Sequence, residues 1–306
     1  MKKIYNKINE FWLKCRQWSN SNILGYLIIG VVKVITITAI GLLLFYALFI
    51  IGPFSDKETP QWPPVSDSSD TTKDNCTVAG INIHGLIMDY IPEHAEGDPG
   101  FNYDAVGSEN ILYLIKQANE DPKIKALVLE IDSTGGFPVA GEEISNAVKN
   151  SVKPIVGLIR QDGLSAAYWA VSGADKIFAS KNSTVGSIGV TQTYLNNVEK
   201  NKTDGYTLEQ LSSGKFKDSG NPDIALTKEE KDLFMRDVNI VYQNFIEAVS
   251  TNRNIPLDEV KKFADGSRVL GEKAKELGMI DEIGGINEVE NYLEKKIGEK
   301  PEICWQ

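Results

Sequence analysis

The chain has 306 residues, of which 42% are hydrophobic, and its 42 acidic against 32 basic side chains leave a net charge of −10. An acidic balance argues against nucleic acid as a partner, because such surfaces are built from clustered lysine and arginine. Three cysteines and two histidines offer no spacing suited to a metal site, so no metal is expected.

Residues 1–33 carry Lys2, Lys3, Lys7, Lys14, Arg16 and Lys33 against the single acid Glu10, a balance of +5 that leaves −15 for the remainder. Residues 34–52 contain no charged side chain. At about 1.5 Å per residue they reach about 28 Å, which matches a ~30 Å hydrocarbon core and predicts a single transmembrane helix. The basic flank keeps the N-terminus in the cytoplasm by the positive-inside rule, so the bulk of the chain is expected on the extracytoplasmic (periplasmic) side of the cell inner membrane. Gly52-Pro53-Phe54 is not a small-x-small cleavage site, and the helix reads as an uncleaved anchor in the lipid bilayer. Residues 53–76, with Pro53, Pro60, Pro63 and Pro64 among Ser, Thr and Asp, read as a disordered linker. The C-terminal stretch, 77–306, is long enough for one sizeable domain with its own core. Cys76 and Cys304 bracket that domain, and pairing and two free thiols both stay open.

Within it, residues 78–83 read as a strand and 88–103 as an irregular insertion. Helical periodicity over 106–119 and 139–148 alternates with apolar runs at 126–131 and 154–159, and a short helix is expected at 165–171. Strands are expected at 176–179 and 185–190, then a long helix at 228–251 and shorter ones at 257–264, 272–277 and 286–297, with Gly278 ending the third of these four. Repeated βαβ units imply an α/β fold with a parallel sheet.

Three segments carry candidate chemistry. Asp132-Ser133-Thr134-Gly135-Gly136 stands where a strand ends and a helix begins, the edge at which open α/β sheets bind ligands. Paired glycines let the backbone approach a ligand and point amides at it, although a tight turn needs glycine too. Ser165 opens the next helix at the same edge, as a helix cap or as a nucleophile beside free amides. A serine nucleophile needs a base, and His84 and His94 both precede the first such loop. The other option is a lysine, since burial brings an ammonium from ~10.4 down to roughly 7–8, where it abstracts protons at neutral pH. In Ser213-Gly214-Lys215-Phe216-Lys217 an extended backbone would put both lysines on one face, as a base or as a solvated edge.

These blocks resemble the signal peptide peptidase (SppA) family, a branch of the ClpP/crotonase-like serine peptidases, over roughly residues 77–290. Asp132 to Gly136 is similar to the family's oxyanion loop, with Thr134 in place of proline. Ser165 with Tyr168-Trp169 is similar to its nucleophile block, with Ala166-Ala167 in place of two glycines. Gly186-Ser187-Ile188-Gly189-Val190 resembles a substrate-lining strand, Ser213 to Lys217 the block with the lysine base, and Gly271 to Asp281 the C-terminal block.

The resemblance implies a ClpP/crotonase-like fold and a serine endopeptidase that works through a Ser165–Lys217 dyad and an acyl-enzyme, with no metal or organic cofactor required. It implies an oxyanion and substrate site from Gly135, Gly136, Ala166, Gly186, Ser187, Ile188 and Gly189. It also implies hydrophobic peptides, such as residual signal peptides, as substrates, and a homo-oligomer whose dyad is shared between subunits. A crotonase-like acyl-CoA enzyme and a non-catalytic membrane scaffold remain as other readings of the same fold.

Overall fold

Ala126, Leu127, Val128, Leu129 and Ile131 are all fully buried, the signature of a parallel strand covered on both faces. They form β3 (Ala126–Gly136) in the computed structural model, which describes residues 75–91 and 104–306 together with Lys7 and Glu10. The rest of the basic terminus over 1–33, the membrane helix expected over 34–52, the linker expected up to residue 74 and residues 92–103 of the expected insertion lie outside the described residues. Among the described residues no helix is long and apolar enough to cross a membrane.

β3 is flanked by β1 (Val78–Met88) and β4 (Ile155–Leu164). The sheet runs β2 (Ala105–Gly107), β1, β3, β4, β5 (Lys176–Ala179), β8 (Glu282–Ile283), all in parallel. β6 (Thr184–Gly186) pairs parallel with the end of β4 and antiparallel with β7 (Arg268–Leu270), while β9 (Ile303–Trp305) lies parallel to the start of β1.

Alternate side chains of one strand enter opposite cores. Leu127, Leu129 and Ile131 join a layer with α1 (Ser108–Glu120), α2 (Pro138–Lys149) and α3 (Ala166–Ser172), and Ala126 and Val128 meet Val289 and Leu293 of α8 (Ile286–Ile297). α1 and α2 reach the sheet by helical spacing, through Ile111, Ile115 and Ala118 and through Ala140, Ile144 and Val148. Each of these isoleucine and valine side chains contributes about 1.5–3 kcal/mol on burial.

The remaining helices are α4 (Val198–Thr203), α5 (Lys228–Arg253), α6 (Leu257–Phe263) and α7 (Gly271–Glu276). α5 opens with a capping box between Thr227 and Glu230 and buries only Phe245, Ile246 and Val249, so its first four turns are held by few core contacts. Gly278, at φ +75, stands just past α7; its N–H donates to the Lys275 carbonyl and that of Met279 to the Ala274 carbonyl, the closing pair of a Schellman turn.

Two expectations change. The strand expected at 185–190 stops at Gly186, where φ becomes +106 and the next residue, Ser187, is at +50. Residues 215–220 are a series of turns instead of an extended stretch: the Lys217 N–H donates to the Gly214 carbonyl at 3.1 Å, so strand alternation does not govern Lys215 and Lys217.

The open cysteine question closes as a disulfide between Cys76 and Cys304, whose Cα atoms are 5.8 Å apart across 228 residues of sequence. It ties β9 to the start of β1. Replacing Cys304 with serine is expected to cost about 2–4 kcal/mol, because the unfolded chain regains the freedom of a long loop. In thermal scans, parent protein with reductant and Cys304→Ser without it should both melt on the order of 10 °C lower than oxidised parent, and coincident melting of all three would refute a stabilising bridge.

Candidate active site

Ser165 is the single residue between β4 and α3, with φ 51 and ψ −126. A side-chain-bearing residue there costs on the order of 1–3 kcal/mol and persists only where its surroundings impose it. They do so here from both sides: the Ser165 N–H donates to the Gly186 carbonyl at 2.7 Å, and the Ser165 carbonyl accepts the Trp169 N–H at 2.9 Å. A helix-opening serine is commonly spent on capping, but the Ser165 hydroxyl makes no capping bond. The sharp strand-to-helix turn thus holds an uncommitted hydroxyl at the sheet edge, the arrangement of a nucleophile elbow.

The base beneath it is rigid, since all seven residues of α3 are buried. Tyr168 donates its hydroxyl to the Met279 carbonyl at 3.0 Å. Burial, only partly offset by the nearby Arg253 charge, pushes that phenol far up, so it stays a neutral donor. Trp169 stacks on Phe245 of α5 with centroids 4.7 Å apart, and Asn252 donates from Nδ2 to Ser145 and Ser172, both at 3.0 Å.

The end of β3 closes over the serine, and its two glycines divide the work. Gly135, at φ +109, has no room for a side chain: a Cβ would sit 2.8 Å from the Ser165 Cβ and 2.9 Å from the Leu164 carbonyl oxygen. Its N–H donates to the Ser133 hydroxyl at 3.0 Å, and that hydroxyl donates to the Gly85 carbonyl at 2.6 Å. Gly135 therefore braces the loop, and its amide is engaged where an oxyanion donor was expected. Gly136 lines the cavity beside Ser165. Ala166 lines it too, and as the first residue of α3 its N–H has no acceptor within the helix.

That cavity has a volume of about 620 Å³. Trp169, Phe245, Tyr242, Val238 and Met235 supply apolar wall, Ser187 and Gly189 line another part, and Ala264 to Gly266 complete it. Of the expected substrate strand, Ser187 and Gly189 thus reach the cavity, Gly186 acts through its carbonyl on the Ser165 amide, and Ile188 is fully buried in the core.

Lys217 is exposed and is not among the lining residues, and neither is any other lysine, arginine or histidine. His84 stands apart, with Nε2 3.4 Å from Glu130 Oε1, and His94 lies outside the described residues. Among the described residues no group of His, Cys, Asp and Glu has the make-up of a metal site.

Residues 147–299, half of the chain, match Peptidase family S49. The chain belongs to this family. Among curated relatives it is 31% identical over 205 residues to the protease candidate MJ0651 of Methanocaldococcus jannaschii, covering 66% of either protein. It is 29% identical over 237 residues to Protease 4 of Haemophilus influenzae, covering 75% of this chain and 36% of that protein. With the signal peptide peptidase SppA candidate of Enterococcus faecium it shares 28% over 275 residues, 84% of this chain and 78% of that one. The chain thus spans only about a third of Protease 4 and two thirds of the archaeal relative. A ClpP1 mutant from Listeria monocytogenes aligns over 71% of this chain and 96% of its own at 16% identity and a TM-score of 0.43, too distant to add to the observed sheet order.

Proposed function

We propose that this chain is a membrane-anchored serine endopeptidase that cleaves hydrophobic peptides, residual signal peptides among them, through an acyl-enzyme on Ser165. The observation that carries the reading is the Ser165 hydroxyl, held free of capping in a strained turn at the edge of an apolar cavity. Lys217 of a neighbouring subunit takes the hydroxyl proton while Ser165 Oγ bonds to the peptide carbonyl carbon. The Gly136 and Ala166 amides receive the negative charge on the carbonyl oxygen. Collapse breaks the C–N bond, the lysine returns its proton to the departing amine, and water then releases the acyl group by the same route.

Two features support the shared dyad. The cavity has no lysine, arginine or histidine of its own, and Lys217 stands exposed outside it in the single chain. The segment that carries Lys217 also exposes Leu195, Tyr206, Leu208 and Leu211, apolar surface suited to packing against another copy. The Cys76–Cys304 disulfide supports a location outside the cytoplasm, where such bonds persist, consistent with the charge-free run 34–52 as anchor and lipid as its surroundings.

A serine-directed fluorophosphonate should label parent protein at Ser165 and should leave Ser165→Ala unlabelled. Labelling of another residue, or a parent that neither labels nor cleaves an apolar peptide, would remove the assignment.

A further inference from the structure

One lining residue of the cavity does not fit a site for purely apolar side chains. Asp265 is the single charged residue among those lining it, and it has no ion-pair partner among the described residues. Its place is fixed, because the loop from Ala264 to Ser267 is tied to its surroundings by four bonds. The Ala264 carbonyl accepts the Tyr242 hydroxyl at 2.8 Å, and the Gly266 N–H donates to the Ile188 carbonyl at 3.0 Å. The Ser187 N–H donates to the Ser267 carbonyl at 2.9 Å, and the Ser187 hydroxyl donates to the Gly266 carbonyl at 3.2 Å. One carboxylate oxygen accepts the Ser267 N–H at 2.9 Å. Hydrogen bonds from the Ser267 hydroxyl and amide hold the carboxyl below its usual range, so it is negative at neutral pH.

From Ser165 outward the cavity therefore combines apolar wall from Trp169, Val238 and Tyr242 with one negative group on a pinned loop. A lysine or arginine side chain has the complementary make-up, an apolar stem with a cationic tip. We propose that Asp265 is a specificity-determining residue that gives the cavity a preference for a basic side chain over a neutral one with the same apolar stem. This rests on the serine peptidase reading and adds a substrate class to it: apolar peptides interrupted by lysine or arginine.

The test uses the full-length chain in detergent micelles and quenched fluorescent peptides that differ only at the residue whose carbonyl is attacked. Norleucine has the four-carbon stem of lysine without the terminal ammonium. Parent protein should cleave the lysine peptide over the norleucine peptide by about fivefold in kcat/KM, the scale of an exposed ion pair, and the ratio should shrink as salt rises. Asp265→Asn, which keeps an acceptor for Ser267, should bring the ratio close to one. Asp265→Lys should instead favour glutamate over glutamine.

A lysine-to-norleucine ratio untouched by Asp265→Asn would overturn the proposal. So would equal slowing of both peptides with a displaced pH profile, which would make Asp265 the partner of an incoming Lys217 instead. Loss of norleucine cleavage in Ser165→Ala reports separately on the peptidase reading, so failure of one is not mistaken for failure of the other.

Discussion

Co-assembly of Ser165→Ala subunits with Lys217→Ala subunits is expected to restore about a quarter of parental peptidase activity, although each variant alone is on the order of 10⁴-fold or more below the parent. The arithmetic comes from a dyad that spans a head-to-tail interface. On the shared-dyad reading a working site would take its serine from one subunit and its lysine from the next, and random mixing of two kinds of subunit pairs the two intact partners once in four. A dyad within one chain predicts no recovery, because every chain then lacks one member. The structure favours the first case: the cavity contains no basic side chain, and Lys217 is exposed on a segment of turns outside that cavity. The two chains should be co-expressed with different tags and doubly purified, so that only mixed assemblies are assayed. Activity no higher than that of the separate variants would end the shared-dyad reading.

How far the fold and the site were legible in the sequence depends on how each feature is encoded. β3 and α8 were, because a run of buried aliphatics and a 3.6-residue period are properties of many residues at once. β6 to β9 have only two or three residues each, too few to display any period. β9 was invisible for that reason, and with it the means by which Cys304 meets Cys76.

Ser165 was legible as a residue at a strand-to-helix junction, but a cap and a nucleophile occupy the same position in sequence. Only the backbone angles and the uncommitted hydroxyl separate them. The lysine pair shows the converse failure. Alternation presumes an extended backbone, and this segment instead turns at Gly214 and again at Gly220, at φ +85, so no strand forms there. Asp265 carried no signal at all, since an aspartate before a glycine reads as an ordinary turn until the loop is seen to line the cavity.

Gly135→Ala should lower kcat by at least about 100-fold while the protein still folds, since a misplacement of about 1 Å at a reacting group costs that much. The new methyl group would arrive 2.8 Å from the Ser165 Cβ, 2.9 Å from the Leu164 oxygen and 3.1 Å from the Ala166 nitrogen, so it presses on the nucleophile and on the residues at either side. Relief is blocked behind it, because the Gly135 amide is held by the Ser133 hydroxyl and that hydroxyl by Gly85. Strain at φ +109 and overpacking each add about 1–3 kcal/mol, so Tm should fall on the order of 10 °C. Gly298→Ala separates the two causes. Gly298 also has positive φ, +78, but nothing lies within 4 Å of its would-be side chain at the end of α8. It should lose about 1 kcal/mol of stability and keep its activity. If Gly135→Ala matched Gly298→Ala in both measurements, the close contact between the β3 glycine and the serine would have no part in aiming the hydroxyl.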